Sequence, residues 1–186
     1  MEDQEIIRLY WDRDEAAIGA TDEKYGAYCT AIALNILHRR EDAEECVSDT
    51  YLRAWNAMPP QRPGRLGAFL GKITSNLSFS RYRALYARKR GGGELPLILD
   101  ELAQCVSGRG SVEEELDRRV LTEAIESFLD ALPPEKRALF LGRYWYAESV
   151  GALATRRGMT ENSVSAALFR LRRQLRRHLE ERGIEV

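Results

Sequence analysis

Residues 147–177 read AESVGALATRRGMTENSVSAALFRLRRQLRR. A short amphipathic stretch, a glycine and a longer amphipathic stretch follow one another. Val150, Leu153 and Ala154 share one face of the first stretch, as a period of 3.6 residues requires. Gly158 can take the left-handed conformation that ends a helix, because it has no Cβ to clash. Met159 is placed to plug the space between two helices, and Thr160 is a good N-cap for the second. Val164, Leu168, Leu171 and Leu175 then recur at helical spacing and predict a buried stripe. The pattern is that of a helix-turn-helix.

In such a motif the second helix lies in the major groove of DNA. Its outward residues here are Asn162, Ser163, Ser165 and Ala166, with Phe169 and Arg170 one turn on. Asparagine can bond adenine through two hydrogen bonds, serine is permissive, and alanine or phenylalanine can touch thymine methyls. Arg170, Arg172, Arg173, Arg176 and Arg177 suit phosphates, whose oxygens match the guanidinium fork. The competing reading is a helical hairpin with a basic, solvated face. The glycine turn and the arginine density favour DNA.

The chain has 186 residues, enough for one domain or two small ones. Hydrophobic residues make up 44% of it, which supports a core, and no apolar run is long enough to span a membrane. The start, MEDQEIIRLYWDRDE, is too acidic for a signal or transit peptide. Cys29, Cys46 and Cys105 fit no metal spacing and no disulfide framework, so reduced thiols and a cytoplasmic location are expected. His38 and His178 read as surface residues in helical contexts. No Ser-His-Asp set, phosphate loop or metal cluster is present. The chain is therefore read as a non-enzyme without cofactor.

Net charge is −1, but its distribution is uneven. Residues 50–90 hold 9 bases and no acid, whereas residues 1–49 hold 13 acids and 5 bases. Residues 151–186 are again basic, with 8 bases against 4 acids. Two basic blocks separated by acidic ones suggest two surfaces that face an anion, with phosphate the obvious one.

Nearly every segment reads helical, so the fold class is all-α, with two small helical domains joined by a partly apolar linker. Residues 5–35 carry apolar positions at three- and four-residue spacings, with a break expected at Gly19 and the Thr21-Asp22 pair. Residues 40–57 form a second helical block, and PPQRPGRLG is a loop by its prolines and glycines. Residues 66–90 form a third, with Phe69, Leu70, Ile73 and Leu77 on its expected inner face. GGG at 91–93 reads as a hinge. Within the following stretch Leu95, Leu97, Ile98, Leu99 and Leu102 are too apolar for a freely solvated tether. From Val112 the chain is helical to near Arg182, with breaks expected at Pro133-Pro134 and Gly158. The expected boundaries are 1–90, a linker at 91–111, and 112–186.

Residues 38–58, HRREDAEECVSDTYLRAWNAM, carry acids at one end and bases and aromatics at the other. With the proline loop and LGAFLGKITSNLSFSRYRALYARKR they resemble region two of the extracytoplasmic-function sigma factors of bacterial RNA polymerase, in the sigma-70 family. Ala43, Glu44, Leu52, Ala54, Trp55, Leu70, Ile73, Asn76, Arg81 and Arg83 match that pattern. ALPPEKRALFL at 131–141 and the helix-turn-helix resemble region four, in the right order.

The resemblance implies a subunit that directs core RNA polymerase to promoters and assists opening of the −10 element. It places Glu45, Ser48, Asp49 and Arg53 on the clamp helices of the polymerase's largest subunit, and region four on the flap of the second-largest. It implies capture of a flipped base near residues 56–67 and a strand held by Arg65, Lys72, Asn76, Ser80, Arg81, Tyr82 and Arg83. Arg88, Lys89 and Arg90 would hold duplex phosphates upstream. The −35 element falls to Thr160, Asn162, Ser163, Ser165, Ala166, Phe169, Arg170 and Arg173. The linker would thread toward the active-site cleft, and an anti-sigma factor is a further implied partner.

Several positions depart from the family pattern. Phe69 stands for tryptophan, Glu45 for aspartate, Ser48 for glutamine and Ala152 for glutamate. Ser165 and Ala167 stand where lysine and arginine are common, which predicts an altered −35 preference or weaker duplex binding. The rival function is a stand-alone helix-turn-helix regulator whose N-terminal domain dimerises or binds a ligand. A helical adaptor that binds no DNA conflicts with the acid-free stretch.

Overall fold

The computed structural model describes residues 1–86, 94–103 and 114–184. The chain divides into two compact units, Met1–Gly93 and Glu94–Val186. Nine helices and no strand occur among the described residues.

The first unit holds α1 (Asp3–Trp11), α2 (Ala16–Leu37), α3 (Arg40–Ala57) and α4 (Leu66–Tyr86). Ile6, Ile7, Tyr10, Ala17, Cys29, Val47, Tyr51, Ala54, Met58, Leu66 and Leu70 form its core. The break after α1 lies at residues 12–15, not at Gly19 and Thr21-Asp22 as expected. Arg13 takes a left-handed conformation there, and the Asp14 carboxylate accepts from the Ala16 amide at 2.9 Å. Thr21 and Asp22 serve tertiary bonds instead. The Thr21 hydroxyl pairs with Tyr10 Oη at 2.8 Å, and Asp22 accepts from Tyr51 Oη at 2.8 Å.

The inner face of α4 also differs from expectation. Leu66, Leu70, Thr74 and Ser78 are buried, while Phe69, Ile73 and Leu77 are half-buried at its flank. Small side chains let α4 approach α3 closely. Thr50 donates to the Cys46 carbonyl and Thr74 to the Leu70 carbonyl, and their two hydroxyl oxygens lie 3.1 Å apart, so neither threonine hydroxyl is stranded. Cys29 and Cys46 lie in the same seam as free, buried thiols, and burial pushes both pKa values up. Cys105 lies outside the described residues.

The second unit holds α5 (Glu94–Ala103), α6 (Glu114–Ala131), α7 (Pro134–Tyr144), α8 (Val150–Arg157) and α9 (Glu161–Glu181). Val164, Leu168, Leu171, Leu175 and Leu179 form the buried stripe of α9. Each contributes about 1.5–3 kcal/mol by leaving water. Pro134 opens α7, where its missing N–H is no loss. A break not foreseen in the sequence separates α7 from α8, with Ala147 at positive φ and Ser149 as N-cap. Gly158 is left-handed as expected, but Met159 is 38% exposed and plugs nothing. Leu153 and Ala154 are buried on the inward face of α8. His178 is half-buried rather than superficial, its Nε2 within 2.9 Å of Ser127 Oγ and 3.1 Å of the Ala124 carbonyl.

The stretch read as linker contains α5, which belongs to the second unit. Ile98 is buried there. The Glu101 carboxylate accepts from Arg143 at 2.8 Å, from Tyr144 Oη at 2.8 Å and from Arg172 at 3.4 Å. Arg143 is 1% exposed and also donates to the Glu148 carbonyl at 3.0 Å. A buried guanidinium demands such a partner. Burial raises the Glu101 pKa, but the bonds from Arg143 and Tyr144 outweigh it and hold the carboxyl below its usual range. Glu101→Leu should therefore lower the second unit's stability by about 2–4 kcal/mol at neutral pH. The native pair is fully present above the ordinary glutamate range and is lost as pH falls through the depressed Glu101 pKa, so the gap between variant and wild type should narrow on acidification below that range. Hydrogen exchange of the α9 amides across that range measures both effects.

Candidate docking and nucleic-acid interfaces

Two exposed stripes dominate the first unit, and each exists because the opposite face of its helix is buried. On α3, Cys46, Val47, Thr50, Tyr51 and Ala54 face inward. That leaves Glu45, Ser48, Asp49, Leu52, Arg53 and Asn56 along one outer stripe. All four residues expected to dock on polymerase lie together there. Leu52 is 57% exposed in their midst. It was read only as a family match. Its position three residues after Asp49, on the polar face, was the signal that marks it as part of this surface.

On α4, Lys72, Asn76, Ser80 and Arg83 are exposed at four-, four- and three-residue spacing, a single stripe of the helix. Arg65 is exposed just before it, and Tyr82 is half-buried. Arg88, Lys89 and Arg90 lie outside the described residues.

Arg81 is placed differently. Its guanidinium bonds the Glu45 carboxylate and reaches Asp42 at 3.0 Å. Arg39 approaches the other Asp42 oxygen at 3.4 Å. The bond from Arg81 holds the Glu45 carboxyl below its ordinary range, and Glu45 in turn raises Arg81. A residue expected to hold DNA and one expected to hold polymerase are thus partners in one ion pair, where α3 and α4 meet.

The loop between α3 and α4 is anchored by Met58 and Leu66, both fully buried. Gly67 begins α4 directly against the Tyr25 ring, where an added Cβ would come within 2.8 Å. Tyr25 Oη donates to Asp3 at 2.7 Å, tying α1 to this corner.

In the second unit, Thr160 and Ser163 close the N-terminus of α9. Thr160 Oγ1 accepts from the Ser163 amide at 3.1 Å, and the two hydroxyls bond at 2.8 Å. Asn162, Ser165, Ala166, Phe169, Arg170 and Arg173 are exposed beyond them. Phe169 is 50% exposed, with the Arg172 and Arg173 guanidinium groups about its ring at 5.8 and 6.0 Å. Arg172, grouped with the phosphate-facing arginines from sequence, donates to Tyr144 Oη at 2.7 Å and turns to the core side. Arg176 pairs with Glu180 at 3.0 Å.

Known proteins carry both halves of this arrangement. The Sigma-70 region 2 family model matches residues 23–88, and the Sigma-70 region 4 model matches residues 122–175. The chain is 27% identical to the ECF RNA polymerase sigma factor SigL of Mycobacterium tuberculosis, over 92% of this chain and 93% of that protein. It is 23% identical to the ECF RNA polymerase sigma factor SigE of Mycolicibacterium smegmatis, over 93% of this chain and 66% of that protein, and so spans about two thirds of its length. No described helix is long and apolar enough to cross a membrane. With region 2 and region 4 matched in order on two helical units, and such relatives over nearly its whole length, the chain belongs to the extracytoplasmic-function group of the sigma-70 family.

Proposed function

We propose that this chain is a dissociable, non-catalytic subunit that binds core RNA polymerase in the cytoplasm and directs it to promoters. The observation that carries this reading is the adjacency of two unlike stripes in the region 2 half. The exposed face of α3 is acidic with a leucine at its centre, and the exposed face of α4 is basic and polar. A helix of the first kind fits a basic coiled coil, here the clamp helices of the largest subunit. Complementary charge sets approach and register there, while Leu52 supplies apolar area at the centre.

The α4 stripe would then hold the separated −10 strand through Arg65, Lys72, Asn76, Ser80 and Arg83, with Tyr82 and the following Arg88, Lys89 and Arg90 extending it. Arg81 joins them when Glu45 turns to the polymerase. The exposed start of α9 would read the −35 element in duplex DNA. Asn162 is its one side chain suited to bidentate base contact, and Arg170 and Arg173 contact phosphate. Region four would also meet the flap of the second-largest subunit. An anti-sigma protein is the proposed silencing partner. The stand-alone regulator is not favoured, because the N-terminal half matches region 2, for which that reading has no use.

Titration of labelled chain against core polymerase at moderate salt tests the docking face. Asp49→Arg should weaken binding at least about tenfold, the loss expected when a like charge meets a basic surface. Unchanged affinity in that variant would remove α3 as the docking helix. On duplex promoter DNA, Arg170→Ala should weaken binding uniformly across sequences and reduce the salt slope by about one. Asn162→Ala should instead change the preferred sequence.

A further inference from the structure

α5 lies outside the residues matched to either sigma region, yet it is seated in the unit that carries α9. Its Glu101 carboxylate accepts from Arg172 of α9 at 3.4 Å. Tyr144 Oη accepts from the same guanidinium at 2.7 Å and itself donates to Glu101 at 2.8 Å. The Arg172 side chain is 13% exposed as a result, whereas Arg170 and Arg173, which flank it in sequence, are exposed. Its guanidinium also lies 5.8 Å from the centroid of Phe169, a ring on the outer side of α9. Arg172 therefore stands at the border of the α9 surface, turned inward by one carboxylate and one phenol.

We propose that Glu101 is a positioning residue that withholds Arg172 from DNA phosphate, so that α5 sets how many arginines α9 brings to a duplex. This rests on the reading of α9 as the helix that meets duplex DNA. A carboxylate and a phosphate compete for the same guanidinium fork. While α5 is seated, the carboxylate is already in place, and phosphate must displace it. With Glu101 neutralised or α5 displaced, the neutral Tyr144 oxygen is the weaker acceptor and the phosphate wins. The flexible Arg172 side chain then turns outward and adds one charge-assisted contact. Arg143 answers differently to the same carboxylate. It is 1% exposed and also bonds the Glu148 carbonyl, so it anchors α5 and has no route to DNA. One carboxylate thus has two separable tasks, seating α5 through Arg143 and holding back Arg172.

The test titrates duplex promoter DNA with the full chain over a salt series and reads the slope of log K against log salt. That slope counts phosphates neutralised, which a loss of folded protein alone does not change. Glu101→Gln keeps the shape and an acceptor oxygen for Arg143. It should steepen the slope by about 0.9 and tighten binding about fivefold near 0.1 M salt. Tyr144→Phe leaves the net charge and the Arg143–Glu101 pair intact, and should move the slope in the same direction. Arg172→Ala should leave the slope unchanged when made alone and remove the whole gain when combined with Glu101→Gln. If the gain survives in that double variant, the lost negative charge accounts for it and the proposal is overturned. It is equally overturned if neither Glu101→Gln nor Tyr144→Phe steepens the slope, or if Arg172→Ala alone flattens it as Arg170→Ala does. In those cases Arg170→Ala still loses its contact, and the duplex reading of α9 stands. If Arg170→Ala leaves the slope unchanged, that reading falls and the proposal with it.

Discussion

The close seam between α3 and α4 is the constraint on which the first unit depends. Cys46, Thr50, Thr74 and Ser78 are small, and bonds from Thr50 and Thr74 to carbonyls of their own helices satisfy hydroxyls that would otherwise be buried at a cost. Small residues bring the two backbones together, so the outer faces of α3 and α4 are held at a fixed spacing. One face is acidic and the other basic. Were larger apolar side chains in the seam, the helices would still pack, but the two stripes would no longer share an edge. The Arg81–Glu45–Asp42 cluster sits on that edge and is the electrostatic consequence of it.

That cluster also explains why net charge says little here. Residues 50–90 contain no acid, yet one of their arginines is neutralised by acids from the preceding helix. The Arg81–Glu45 half of the cluster adds little to stability, since most of the Glu45 carboxylate remains in water, whereas Asp42 is largely buried. Its significance lies in exchange. On the proposed function, a basic partner on α3 would compete for Glu45 and a phosphate on α4 for Arg81, so each event would lower the cost of the other.

The sequence made the helices and the helix-turn-helix legible because their signals are local. The α9 stripe, the Gly158 turn and the Thr160 cap each depend on residues a few positions apart. The misses are tertiary. Thr21-Asp22 has cap chemistry, but Tyr10 and Tyr51 recruit both side chains across the core. Phe69, Ile73 and Leu77 look like an inner face by hydrophobicity, yet Leu70, Thr74 and Ser78 are the buried ones, and Thr74 meets Thr50 of α3. Met159 follows the turn glycine but is 38% exposed, whereas Leu153 on the preceding helix is buried. The exposure of the candidate site residues along stripes is legible, since exposure on a helix follows its period. Their partners were not: nothing local says that Arg81 meets Glu45, that Arg172 turns to Tyr144, or that Trp11 reaches Gln61.

The apolar run at residues 95–102 shows how a tether reading gives way to a folded one. Arg143 cannot be buried without a carboxylate, and the carboxylate it has comes from α5. The helix is therefore part of the fold that carries α9, and the covalent connection between α4 and α5 is shorter than a linker spanning 91–111 would make it. Connection length sets effective concentration: once one unit is bound, a short tether presents the other at a high local level, provided that it can span the two sites. On the proposed function, neither DNA surface would then need to bind tightly alone. An α9 with serine and alanine at its proposed reading end would be weak on isolated duplex DNA and still contribute, because the unit bearing α3 and α4 would already have confined it.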